Sequence, residues 1–252
     1  VSTELNYQLQ DIEVTSERVP LTFSVAPRLV TVMTKEDVSA ATVQSINDLL
    51  EYAVGVDVRQ RGEMGVQSDI SVRGGTFDQI TILLNGINIS SPHTGHLSAD
   101  FPVSMDEIER VEVLEGPAAR QFGTSAFNGA INIVTKCDTS SHIAGHVFGG
   151  SYGYGGGEMS ANLSTKKVHQ QISGGFRRAD GDQENSDFKQ TKFFYQGNVS
   201  NSSVNVDWQT GVSNQDYGAN TFYSAAYPNQ WESTTKRITS VKAETNSRLH
   251  FV

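Results

Sequence analysis

Two histidines and four acidic residues are the side chains of this chain whose types and spacing best suit chemistry. His93 and His96 form a His-x-x-His pair, which can bring two imidazoles to one metal ion or haem iron. They lie in a Gly/Pro/Ser loop rather than on a helix, with no cysteine or acidic third ligand at a convincing spacing. Hydrogen bonding to a ligand or to loop backbone is the simpler use. Asp180, Asp182, Glu184 and Asp187 cluster oxygen ligands in one loop and can gather calcium. Their order, Ala-Asp-Gly-Asp-Gln-Glu-Asn-Ser-Asp, lacks the acidic ending of the twelve-residue calcium loop, so a solvated acidic loop competes. The serines near His93 and His96 have neither a nucleophile elbow nor an ordering acid. Gly74-Gly75 and Gly153–Gly157 make no phosphate-binding fingerprint. The sequence therefore predicts no catalysis and no catalytic cofactor.

The elements that must position these residues are organised around 69–136. Ile-Ser-Val-Arg-Gly-Gly at 70–75, Ile-Leu-Leu-Asn-Gly at 82–86, the run 108–117 and Gly-Ala-Ile-Asn-Ile-Val-Thr at 129–135 read as four strands of one small sheet. In the third, Glu107, Glu109, Arg110 and Glu112 interleave with Ile108, Val111, Val113 and Leu114, which predicts that part of the strand shows charge to a wet surface while part packs inside. Arg73, between Val72 and Gly74, calls for a carboxylate partner, with Glu109, Glu112 and Glu115 the candidates. If the pair forms, Arg73→Ala should loosen the unit.

Upstream, Val30–Met33 is a short strand. Thr34 and Ser45 read as helix caps, and Ile46, Leu49 and Leu50 form an apolar stripe that Gly55 ends. Asp57–Val66 runs from a strand into a Gly-rich loop. Residues 88–102 make a long loop, more often a binding surface than a short one.

The 252 residues carry a formal charge of -9, and no stretch supplies the concentrated positive surface that nucleic acid requires. Cys137 is alone, which leaves no internal disulfide and no multi-thiol metal site. No apolar run is long enough for a membrane-spanning helix, but barrel strands give a weaker signal. The first residues show no basic-then-apolar targeting segment, so none existed or it has been removed. From Ser141 onward the pattern turns to alternation: Val168, Ile172 and Phe176 oppose His169, Gln171, Ser173 and Arg177. Strands are expected at 142–150, 157–165, 168–178, 188–199, 203–213 and 237–250. Their connections alternate longer and shorter, as in an outer-membrane barrel. If these strands form one sheet, its open edges could self-associate.

Taken together, Asp11-Ile-Glu-Val-Thr-Ser, Ser45-Ile-Asn-Asp-Leu-Leu, Gly55-Val-Asp-Val, Ile70-Ser-Val-Arg-Gly-Gly, Leu84-Asn-Gly-Ile, Ile108–Pro117, Phe122-Gly and Gly129-Ala-Ile-Asn-Ile-Val resemble TonB-dependent outer-membrane receptors. The resemblance implies an α+β plug domain with a small mixed sheet, followed by an incomplete antiparallel transmembrane β-barrel segment. It places an N-terminal periplasmic arm at 1–20, the plug at 21–138 and the first five or six barrel strands at 139–252. It implies energy-coupled uptake of a bulky scarce nutrient across the Gram-negative outer membrane, with the plug inside the barrel. Asp11, Ile12, Glu13, Val14, Thr15 and Ser16 become the TonB box, an edge strand offered to the TonB periplasmic domain. Substrate would meet the loops 60–67 and 89–101, through Met64, Val66, Gln67, Ser90, Ser91, Pro92, His93, Thr94, His96 and Leu97. Within the family, Ser45–Leu50, Gly55–Val58 and Tyr217–Ser224 look like vitamin B12 (cobalamin) receptors of Bacteroidetes type, in which calcium can occupy outer loops. That makes a corrinoid the expected ligand, with haem or a ferric siderophore the alternative. A surface lipoprotein and outer-membrane lipid are the further expected partners.

Overall fold

The computed structural model describes residues 13–14, 21–22, 30–62, 66–91, 96, 100–116, 119, 122, 125–135 and 137–245. Two short strands, β1 (Glu13–Val14) and β2 (Leu21–Thr22), pair antiparallel. The next strand, β3 (Val30–Met33), leads into two helices, α1 (Lys35–Ala40) and α2 (Ile46–Leu50). Thr34 caps α1 in a reciprocal box with Asp37, and the Ser45 hydroxyl accepts the Asp48 amide at 3.1 Å. Both caps satisfy amides that a first turn leaves unpaired. Leu49 and Leu50 are wholly buried and Ile46 nearly so, and they seat α2 on the core shared with Ile70, Val72, Ile82 and Ile131.

The plug sheet follows the order β3, β8 (Ile108–Glu115), β9 (Gly129–Thr135), β6 (Ile80–Leu84), β7 (Ile87–Asn88), and only β6 and β9 run parallel. Leu84-Asn85-Gly86-Ile87 makes the β6–β7 hairpin. Asn85 (φ 52) and Gly86 (φ 78) are both left-handed, as a two-residue primed turn demands. The run at 70–75 does not join this sheet. Gln67–Val72 (β5) pairs instead with Val56–Arg61 (β4) in a separate hairpin, because the short connection at 62–66 holds those two strands together. For two of the charges expected at a wet surface, Glu107 and Glu112, the expectation is corrected, while Glu109 and Arg110 stay partly exposed. Glu112 is wholly buried and Glu107 nearly so, since β3 and β9 flank β8 on both sides. Arg110 Nε at 2.8 Å and Asn132 Nδ2 at 2.9 Å donate to the Glu112 carboxylate, and Asn132 lies directly opposite it in register.

Residues 142–245 form one antiparallel meander: β10 (His142–Gly149), β11 (Gly155–Ser164), β12 (Val168–Ala179), β13 (Phe188–Ser200), β14 (Val204–Gly218) and β15 (Trp231–Thr245). The last strand starts earlier than its alternation suggested, because Trp231 and Glu232 pair with Gly218 and Tyr217. Connections 150–154, 180–187 and 219–230 lie at one end and the short turns 165–167 and 201–203 at the other. The sheet does not close, and β10 and β15 are its edges.

The faces of this sheet are reversed relative to a soluble sandwich. Ile143, Val147, Met159, Leu163, Ile172, Phe176, Phe193 and Val241 are exposed on one face. Gln171, Ser173, Arg177, Gln190, Gln196, Gln209, Ser213 and Gln215 are buried on the other, against the plug. Water would penalise such an outward surface and lipid would not. Trp208, whose β15 partner is Val241, lies on the same face as these apolar residues. Two wall residues, Phe194 and Ile238, reach through to the plug core. Gly211 has no side chain where one would strike Pro102 and Phe194, and this lets the plug approach.

Candidate functional site

The plug apex meets the longest described barrel connection at the long-loop end. The hairpin β4–β5 brings Arg61 and Asp69 side by side, their side chains 3.2 Å apart. His96 Nδ1 lies 2.5 Å from the other Asp69 oxygen, which makes that nitrogen the donor to an ionised carboxylate. The His96 ring packs on Phe77 at 4.3 Å and faces the edge of Tyr223 at 6.2 Å. The connection 219–230 closes over this group. Arg61 Nη1 donates to the Phe222 carbonyl at 2.8 Å, and its guanidinium stands 5.8 Å from the Tyr223 ring centre. Gln67 Nε2 donates to the Tyr223 hydroxyl at 2.9 Å, and that hydroxyl donates to Glu232 Oε1 at 2.6 Å. The second Glu232 oxygen accepts from Tyr217 at 2.5 Å. Burial, then the Glu232 hydrogen bond, pushes the Tyr223 phenol up to about 12, so it stays a donor at any physiological pH.

Of the residues expected to touch substrate, Gln67 and His96 belong to this network. The Val66 carbonyl accepts from Gln215 on the wall, and its side chain packs with Phe222 and Tyr217. Ser90 turns inward, its hydroxyl accepting the Ile82 amide at 3.0 Å. Ser90 and Ser91 line a cavity of about 440 Å³ between plug and β15, with Asp100 and Lys236 opposite. Met64, Pro92, His93, Thr94 and Leu97 lie outside the described residues, as do Asp11, Ile12, Thr15 and Ser16 of the expected box. Glu13 and Val14 form β1. Arg61, Asp69, Phe77, Tyr223 and Glu232 were missed as site residues. Arg61 and Phe222 stand 161 positions apart, and nothing local couples them.

Arg73 Nε sits 3.1 Å from Glu115, on a left-handed backbone (φ 53), while Glu109 faces Lys35 at 3.9 Å. In the acidic loop, Asp180 pairs with Arg178 at 3.1 Å, and the carbonyls of Glu184 and Asp187 take Asn220 Nδ2 and the Gly218 amide. Asn185 ties the same loop to the carbonyls of Pro228 and Gln230. Among the described residues, no group of three or more His, Cys, Asp or Glu, Asp182 included, gathers as a metal-ligand set. At the short-turn end, Asn85, Thr135, Cys137, Gln196 and Gln209 line a second cavity of about 420 Å³. Burial, then Asp207 and Glu107, pushes the Cys137 thiol up to about 11.

Residues 24–130 match the TonB-dependent Receptor Plug Domain. Vitamin B12 transporter BtuB of Vibrio vulnificus is 32% identical over 157 residues, 60% of this chain and 25% of that protein. The chain thus spans about a quarter of the length of that curated relative. The siderophore receptor PirA from Acinetobacter baumannii superimposes on 88% of the chain and 38% of its own, with a TM-score of 0.66 at 20% identity. Pseudomonas aeruginosa FpvA bound to pyoverdine covers 93% of this chain and 34% of its own, at TM-score 0.69 and 18% identity. At such identities the likeness is one of fold.

The assignment to a cobalamin branch of Bacteroidetes type is corrected by these comparisons, in which solved siderophore receptors match nearly the whole chain. The physical reason lies in the residues that carried it. Leu49 and Leu50 are wholly buried in the plug core, and Val56 packs against it, so these residues serve packing rather than ligand choice. Tyr217 is wholly buried, and Phe222 and Tyr223 bind the loop to the plug. Residues 24–130 thus match the plug domain of TonB-dependent receptors, and they are seated against an open antiparallel sheet that resembles an unclosed segment of barrel wall.

Proposed function

We propose that this chain is the plug-bearing part of an energy-coupled outer-membrane receptor that imports a ferric siderophore or haem. The observation that carries the reading is the seating of the plug against the polar face of a sheet whose other face is apolar, with its apex at the long-loop end. The choice of ligand rests on the fold shared with solved siderophore receptors. It rests also on an apex where the rings of His96, Phe77 and Tyr223 gather, which suits a ligand with aromatic surface. In this reading residues 1–20 are the periplasmic arm, 21–138 the plug and 139–252 the first strands of the wall. The TonB periplasmic domain would pair with Asp11–Ser16, and a surface lipoprotein could hand over the ligand.

The test is ligand retention by the detergent-solubilised full-length receptor, offered haem, a panel of ferric siderophores and cobalamin separately. Retention of haem or one siderophore with a Kd near the nanomolar range is expected. Retention of cobalamin alone would reject the reading.

A further inference from the structure

At the seam between plug and wall, one carboxyl is buried without the partners a carboxylate requires. Glu107 ends the short 3₁₀ turn Met105–Glu107 and is 3% exposed. Its Oε2 accepts the Ser104 amide at 2.7 Å. Its Oε1 closes no hydrogen bond. A cavity of about 10 Å³ lies beside it, lined also by Ser104, Asp106, His146, Glu158 and Ser173. That volume is at the lower limit for one water.

Each wall strand packed here brings a charged or titratable group: His146 from β10, Glu158 from β11, Arg177 from β12 and Lys192 from β13. Asp100 and Asp106 stand on the plug side. The cations are engaged elsewhere. Arg177 Nε donates to Gln190 at 2.5 Å, Lys192 Nζ to the Val103 carbonyl at 3.4 Å, and His146 Nδ1 lies 3.6 Å from Asp106. Glu158 stretches across Gly175, a position where a side chain would displace it, and faces the same cavity. An ionised Glu107 would therefore sit beside a second carboxylate with one oxygen unmatched, an arrangement that favours the protonated acid. Burial, with Glu158 adding to it, pushes this carboxyl up to about 7 against the lowering by Ser104, Ser173 and Lys192.

We propose that Glu107 is a proton-linked latch between plug and barrel wall. Docked, its carboxyl holds a proton. When the plug leaves the wall, water reaches the acid, the proton passes to solvent and the carboxylate resists re-docking until it is protonated again. The sign follows from the raised value. The contribution to docking is fully present below the ordinary pKa of about 4.5 and is lost as pH rises to about 7. Force on the plug thus meets a seam that loosens as pH rises.

The experiment is amide hydrogen exchange of Ile108–Glu115 in the full-length receptor in membranes, corrected for intrinsic rates, from pH 5 to 8. Protection in the unmodified receptor should fall at least tenfold between pH 5 and 7. Glu107→Gln, which mimics the protonated acid, should stay within about threefold over that range, and His146→Gln should keep the slope. A flat profile in the unmodified receptor, a slope surviving in Glu107→Gln, or a slope abolished by His146→Gln would overturn the proposal. If Glu107→Gln fails to assemble, plug release by urea at pH 6, followed calorimetrically in two buffers of different ionisation heat, decides. Release of close to one proton is expected, and less than half a proton refutes the latch.

Discussion

Arg73 and Glu112 show how burial sets the worth of a charge. Arg73 keeps 64% of its side chain in solvent while it pairs with Glu115, so the pair contributes under about 1 kcal/mol. Glu112 is fully enclosed and accepts from both Arg110 and Asn132, and removing it takes away the carboxylate that these two side chains share. We expect Glu112→Ala to cost about 3–5 kcal/mol and Arg73→Ala under about 1 kcal/mol, as read by urea unfolding of the plug in the full-length receptor. Equal losses would show that Arg73 is held by more than its ion pair. The sequence marked Arg73 as needing an acid but offered three. Glu115 is the partner that the turn after β5 brings beside it, a matter of chain path that spacing does not encode.

Between elements, the hold of the connection 219–230 on the plug rests on two side chains at its centre. The Tyr223 hydroxyl accepts from Gln67 and donates to Glu232, and Arg61 holds the Phe222 carbonyl. Tyr223→Phe keeps the ring and removes both hydrogen bonds. It should weaken the closure by about 1–2 kcal/mol, visible as about tenfold faster amide exchange within 219–230 with no change in β14. Unchanged exchange would show that Phe222 packing alone holds the loop. Local elements were legible: the caps at Thr34 and Ser45, the Asn85-Gly86 turn and the alternation of β12 follow from short-range rules. The pairing of Gln67–Val72 with β4 rather than with the plug sheet was not, because an apolar run suits either neighbour.

Across the whole molecule, the polar wall that buries Gln196 and Gln209 meets the plug there through neutral side chains. Asn85 Nδ2 donates to Gln209 at 2.7 Å and Thr135 to Gln196 at 2.7 Å. Such neutral contacts exchange with water at small net cost, which suits the plug movement that the proposed uptake requires. Deleting Asp11–Ser16 should leave ligand capture at the cell surface within about twofold and abolish energised uptake, measured with radiolabelled ligand in whole cells with and without the coupling partner. Normal uptake by the deletion would remove that segment from the coupling role.

What the residues alone determined was periodic and local: the caps, the tight turns, the count of wall strands and the long-short alternation of their connections, all set by neighbours a few positions apart. The tertiary structure alone decided which face of the wall turns to the plug, that Glu107 and Glu112 are enclosed, and that Arg61 meets a loop 161 positions away. Alternation says that two faces differ but not which is inside, because the choice depends on what lies beyond each face, and burial and distant pairing are properties of the assembled molecule.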